Sequence, residues 1–247
     1  MPTIETTLTK RRLLAGIALS ASAVALAACS DEKAETAKAP EAAKTDPVTT
    51  ASTTAPAKAE IPQADGDVDM AKVLEPGPLP EMSMGKADAP ITVVEYFSMT
   101  CPHCAHFHNE TFDKIKEKYI DTGKVRFIAR EFPFDPRAAA AFMLARCAPN
   151  GAYFPMVGMM FKQQQVWAAA DDGRAALLQM SKLAGFTQES FEKCLTDQKL
   201  LNDVNAVRER GAKEFGVNAT PTFLINGKRY AGAMSVESMS ALLDSML

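Results

Sequence analysis

The chain has 247 residues, 47% of them hydrophobic and 23% charged, with a formal net charge of −3. It shows no basic stripe with interleaved aromatics and no glycine-rich phosphate loop, and its three histidines all fall between positions 103 and 108. Nucleic-acid binding, phosphoryl transfer and Ser-His-Asp hydrolysis are therefore excluded as readings, and five cysteines remain to carry chemistry.

Lys10, Arg11 and Arg12 precede an uncharged run from Leu13 to Ala28, too short for a comfortable membrane span and laid out as a secretory signal over residues 1–28. The run ends Leu26-Ala27-Ala28-Cys29, which resembles the lipobox of bacterial lipoproteins, where cleavage precedes a cysteine that then carries lipid. Cys29 is thus the expected lipidation site, with ordinary cleavage near Ala-x-Ala and twin-arginine export through Arg11 and Arg12 as alternatives. Residues 29–67 are dominated by Ala, Lys, Glu, Thr and Pro with no aromatic side chain, the composition of a flexible tether. Residues 68–90, with Pro76, Pro78, Pro80 and Pro90, read as a semi-rigid approach containing one edge strand near Met70 to Leu74.

Ile91, Val93, Val94, Tyr96 and Phe97 form a β-branched and aromatic run that predicts a strand over 91–97. Cys101-Pro102-His103-Cys104 follows. Beyond it Cys104, His108, Phe112, Ile115 and Tyr119 recur on one face while His106, Glu110, Asp113 and Glu117 mark another, the period of an amphipathic helix. That period buries Cys104 and leaves Cys101 at the first turn, facing unpaired backbone N–H groups and the positive end of the helix dipole, both of which favour thiolate over thiol. Pro102 suits a position whose N–H has no intrahelical partner, and His103 adds a donor or a positive charge beside the sulfur. Cys101 is the expected attacking sulfur. A CxxC pair is also half of a zinc site, so context has to decide.

Val125 to Ala129 predicts the next strand, after a helix closed by Gly123. Helices are then predicted over 136–147, 153–165, 173–184, 188–195 and 200–215. Ala219-Thr220-Pro221-Thr222-Phe223-Leu224-Ile225-Asn226-Gly227-Lys228 reads as a proline, a strand, an Asn-Gly hairpin turn and a return strand through Tyr230. A last helix over 236–246 sets Val236, Met239, Leu243 and Met246 on one face.

Strand, CPHC, helix, long helical middle, Thr-Pro-Thr-Phe, Asn-Gly hairpin and C-terminal helix together resemble the DsbA-like thiol:disulfide oxidoreductases. The resemblance implies an α/β, thioredoxin-like fold with an inserted α-helical subdomain, the domain covering 91–247 and the insertion about 135–215. It implies Cys101 and Cys104 as the redox pair with Pro102 and His103 between them, Thr220 and Pro221 as the substrate-facing cis-proline loop, and Glu95 as a buried acid relaying a proton with Cys104. His108 departs from the family, in which an acid often stands at that position, and is expected to be buried and to tune Cys104.

Setting Cys29 aside leaves Cys101, Cys104, Cys147 and Cys194, an even number for an oxidising compartment. Cys147 and Cys194 are expected to form a structural disulfide like one found in some DsbA-like proteins; a second redox relay is the alternative. The resemblance further implies a periplasmic monomer that touches the membrane through its lipid anchor only and needs no metal and no cofactor beyond the Cys101-Cys104 disulfide. Its partners would be reduced exported polypeptides and a quinone-linked membrane oxidase that reoxidises the pair.

A Cys101 pKa of about 4 would stabilise the reduced form at neutral pH by about 4 kcal/mol and raise the potential about 80 mV above a thioredoxin-like value. The direction of electron flow stays open, because in the family that this chain resembles a histidine at the place of His103 goes with strong oxidants, while a threonine at the place of Thr220 is also found in isomerases. In a different class, Cys101, Cys104 and His108 on one face would suit a copper- or zinc-handling lipoprotein.

Overall fold

The structure, a computed structural model, describes residues 60–247; the expected signal, Cys29 and most of the tether lie outside the described residues. In chain order, β1 (Gly66–Asp67), α1 (Met70–Val73), β2 (Met82–Met84) and β3 (Ile91–Phe97) lead into a long helix α2 (102–120) and β4 (Val125–Glu131). Then come α3 (Pro136–Arg146), α4 (Tyr153–Lys162), α5 (Gln164–Trp167), α6 (Gly173–Leu183), α7 (Gln188–Leu195) and α8 (Gln198–Phe215). The chain closes with β5 (Thr222–Ile225), β6 (Lys228–Ala231) and α9 (Val236–Asp244). This is the thioredoxin-like α/β fold, with helices inserted between β4 and β5.

The strands form one sheet in the order β1-β6-β5-β3-β4-β2. β3 lies at its centre, parallel to β4 and antiparallel to β5. Because strand side chains alternate between faces, Ile91, Val93 and Phe97 enter one core and Val94 and Tyr96 the other. Glu95 belongs to the first set, so a carboxylate points among apolar side chains beneath α2. On the opposite face α8 packs so closely that a Cβ at Gly211 would lie 2.6 Å from the Tyr96 ring. The hairpin between β5 and β6 turns through Asn226 and Gly227, with φ of 44° and 92°, the left-handed values an Asn-Gly pair accepts at little cost.

Several expectations need correction. Residues 70 to 74 do not form an edge strand: Asp69 accepts a hydrogen bond from the Ala71 N–H at 2.9 Å and caps a helical turn, α1, instead. The edge strands are β1, inside the stretch expected as tether, and β2, inside the expected approach, so the sheet reaches back to Gly66. The helix predicted over 153–165 breaks at Gln163, where φ and ψ reach −112° and 18°. Helix α2 carries π-helical turns at Phe107–Phe112 and Lys116–Ile120, which an α-helical period does not foresee.

Within the insertion a disulfide joins Cys147, at the end of α3, to Cys194 in α7, with Cα atoms 6.2 Å apart. Nearby, the fully buried Glu131 pairs with Arg146 at 2.6 Å and accepts the Tyr153 hydroxyl at 3.0 Å.

Candidate active site

Strand β3 ends in a turn, closed by the Cys101 N–H donating to the Ser98 carbonyl at 3.1 Å, that delivers Cys101 to the N-terminus of α2. Cys101 is the N-cap residue, with extended backbone, and Pro102 opens the helix. Two side chains from the insertion side brace the turn. The Gln164 amide donates to the Met99 and Cys101 carbonyls, both at 2.9 Å. The Thr100 hydroxyl donates to Asp135 at 2.6 Å, and the other oxygen of Asp135 caps α3.

Cys101 is half-buried and Cys104 fully buried, and both are thiols here. The Cys101 thiol donates to the Thr220 carbonyl at 3.3 Å, and the Thr220–Pro221 bond is cis. This places the proline loop against the half-buried sulfur. The Thr220 hydroxyl is buried and without a partner while Cys101 keeps its proton. Once Cys101 ionises, its sulfur becomes an acceptor that this hydroxyl can serve.

The surroundings push the two thiols apart. The Cys104 thiol, acting as donor, is the largest influence pulling Cys101 down from 9.0 to about 5; burial opposes it, and the Thr220 hydroxyl and the backbone N–H groups of Cys104 and His103 add to it. Cys104 is pushed well above the ordinary thiol range, first by burial, then by its bond to Cys101 and by the charge of Glu95. The contribution His103 makes here runs through its backbone N–H, while its ring and Pro102 are exposed.

Under α2, Nε2 of His108 contacts the two carboxylate oxygens of Glu95 at 2.9 and 3.2 Å. Glu95 is fully buried and His108 is 9% exposed, its ring stacked on Phe161 at 4.4 Å. Cys101, Cys104, Glu95, His108, Thr220 and Pro221 are thus brought together. Cys147 and Cys194 are tied to each other in the insertion, and Cys29 lies outside the described residues. Among the described residues, no cluster of three or more His, Cys, Asp or Glu side chains is placed to hold a metal ion. Gln164 and Asp135 escaped sequence reasoning, since neither carries a motif and each reaches the turn from dozens of residues away.

A family model described as thioredoxin matches residues 79–245. The crystal structure of alpha-DsbA1 from Wolbachia pipientis superposes with a TM-score of 0.66 and is 32% identical, covering 71% of this chain and 94% of that one. The chain belongs to the DsbA-like branch of the thioredoxin family. A relative from Rickettsia bellii, carrying the provisional name protein-disulfide oxidoreductase, is 36% identical over 168 residues, which are 68% of this chain and 64% of the relative. This DsbA-like chain thus matches less than two thirds of that relative's length. BdbD from Bacillus subtilis, 20% identical with a TM-score of 0.59 and covering 76% of this chain, shares the DsbA-like fold.

Proposed function

We propose that this protein is an exported thiol:disulfide oxidoreductase that introduces disulfides into periplasmic proteins through Cys101 and Cys104. The observation that carries the reading is the split between the two thiols: a half-buried sulfur drawn down to about 5 beside a buried one held protonated. Such a pair favours the dithiol over the disulfide, and hence makes the disulfide an oxidant.

The magnitude is moderate. At neutral pH the fall from 9.0 to about 5 stabilises the reduced form by about 3 kcal/mol. Cys101 is half-buried, so water screens part of this, leaving about 2 kcal/mol, or about 40 mV. That is about half of what a pKa of about 4 implies.

In the mechanism, a substrate thiolate attacks Cys101 of the oxidised protein, the Cys101–Cys104 bond breaks, and Cys104 leaves and takes up a proton. The second substrate thiolate then attacks the substrate sulfur bound to Cys101, and Cys101 departs as a stabilised thiolate. The substrate dithiol becomes a disulfide and the protein a dithiol. Glu95 holds charge beside Cys104 and relays its proton, while Thr220 and Pro221 border the sulfur where substrate backbone would lie. A quinone-linked membrane oxidase returns the pair to the disulfide, and lipid on Cys29 would hold the protein near it. Residues 1–28 act as the export signal. Cys147–Cys194 serves stability.

The test is the equilibrium reduction potential of Cys101/Cys104 in a glutathione buffer, on protein starting after Cys29. A value well above about −200 mV supports the oxidase; one near or below about −250 mV makes the protein an isomerase or reductase instead. Stoichiometric copper or zinc on the purified protein would favour metal handling.

A further inference from the structure

Cys104 is fully buried, so the proton it must lose before it can attack has no direct way to water. One turn along α2, His108 lies on the same helix face, and its Nε2 is bonded to the buried Glu95. His108 also lines a cavity of about 580 Å³ between α2 and α4, whose wall includes Phe112, Asp113, Lys116, Gly158 and Lys162. A space of that size with charged side chains at its wall has room and partners for several waters.

The imidazole has charged and titratable neighbours on two elements besides its own. Glu95 from β3 bonds to it, Cys104 lies one turn back on α2, and Asp113 and Lys116 from α2 and Lys162 from α4 share the cavity wall with it. The rings of Phe97, Phe107, Phe112 and Phe161 enclose it elsewhere. A purely packing residue in that aromatic nest would be better served by a phenyl group than by a ring that must satisfy two nitrogens.

We propose that His108 is a positioning residue that carries the Cys104 proton between the buried Glu95 and water, by way of the cavity behind α2. The inference rests on the thiol:disulfide reading but not on its direction. It is visible in one step common to oxidase, isomerase and reductase: resolution of a mixed disulfide on Cys101. The Cys104 thiol gives its proton to the Glu95–His108 pair, the Cys104–Cys101 bond forms, and the bond from Cys101 to the outgoing sulfur breaks. The leaving group departs as a thiolate that takes a proton from water, and His108 releases the relayed proton into the cavity.

The experiment mixes reduced protein with saturating oxidised glutathione and follows release of the second glutathione across pH 5 to 9, in water and in deuterium oxide. His108→Gln keeps a side-chain amide for Glu95 but cannot titrate. It should slow resolution about tenfold at neutral pH and remove an inflection from the pH profile. This is less than the ~10²–10⁴-fold of a directly acting group, because Glu95 remains. Gly158→Leu tests the route without touching the site. A Cβ there meets no atom within 4 Å, and leucine suits a helix better than glycine, so the variant should fold and fill the cavity. It should slow resolution severalfold and enlarge the solvent isotope effect.

An unchanged rate in Gly158→Leu overturns the cavity route. A His108→Gln protein with the parental pH profile, whatever its rate, reduces His108 to a packing residue. The potential measured for the parent protein decides the direction of electron flow separately, so failure of one idea is not mistaken for failure of the other.

Discussion

The side-chain amide of Gln164 donates to the backbone carbonyl of Cys101 at 2.9 Å, so the insertion grips the turn that presents the half-buried Cys101 sulfur. The same nitrogen holds Met99, and the residue is 4% exposed. Helix α5 is therefore part of the site's scaffold, although it contributes nothing to the chemistry.

Replacing Gln164 with leucine removes both donations and leaves the Met99 carbonyl without this partner. A loss of about 1–3 kcal/mol in equilibrium unfolding is expected, the cost of an unanswered buried polar group. Cys101 alkylation should slow as the turn loosens. A variant as stable and as reactive as the parent would sink the bracing role.

The lowered Cys101 pKa has a defined signature in pH. Its folded value, about 5, lies below its ordinary value of 9.0, so the reduced protein gains stability that is complete above pH 9.0, shrinks as pH falls, and is gone below about 5. The gap by which the urea midpoint of the reduced form exceeds that of the oxidised form should shrink between pH 7.5 and pH 4.5. Thiolate absorbance should show one group titrating near 5, with the buried Cys104 silent up to alkaline pH. A gap that widens on acidification would contradict the assignment.

Thr220→Val separates the two states of the sulfur. In the dithiol the Thr220 hydroxyl is buried and unpartnered, so valine should leave stability unchanged or slightly higher. In the thiolate the same hydroxyl is a donor, and its loss should raise the Cys101 pKa by about 1–2 units, since a bond to a charged group contributes about 1.5–3 kcal/mol. Direct titration of the variant checks this, and an unmoved pKa would remove Thr220 from the tuning set.

Cys147 and Cys194 close a loop with a sequence separation of 47. On the chain-entropy account their replacement by alanine should cost about 4 kcal/mol of stability, measured by denaturant unfolding, while leaving the Cys101/Cys104 potential within a few millivolts. A second relay predicts the reverse, with turnover lost and stability kept.

Much of this was legible in the chain because the relevant signals are local. The β-branched and aromatic run over 91–97, the helical face through Cys104 and His108, and the Asn226-Gly227 turn each depend on residues a few positions apart, and these strands and helices fall where those signals put them. The misses depend on distant partners. Nothing near Gln164 tells that it meets Cys101, and the β2 segment Met82–Met84 is a strand because β4 is there to pair with it. Met70 to Leu74 reads as apolar enough for a strand, yet the Asp69 cap favours a helical turn. Glu95 shows both sides: its place in an apolar strand was visible, but its partner His108 lies across the core, and only the fold joins them.

Trp167 is the one tryptophan in the chain, fully buried at the end of α5, with its indole N–H donating to the Met160 carbonyl at 2.8 Å. It lies three positions after Gln164, whose amide holds Cys101. The turn that changes its covalent partners between dithiol, mixed disulfide and disulfide is therefore linked to the indole by a single short helix. A single tryptophan thus sits one amide and one helical turn from the backbone of Cys101, a natural place to read the state of the pair by fluorescence.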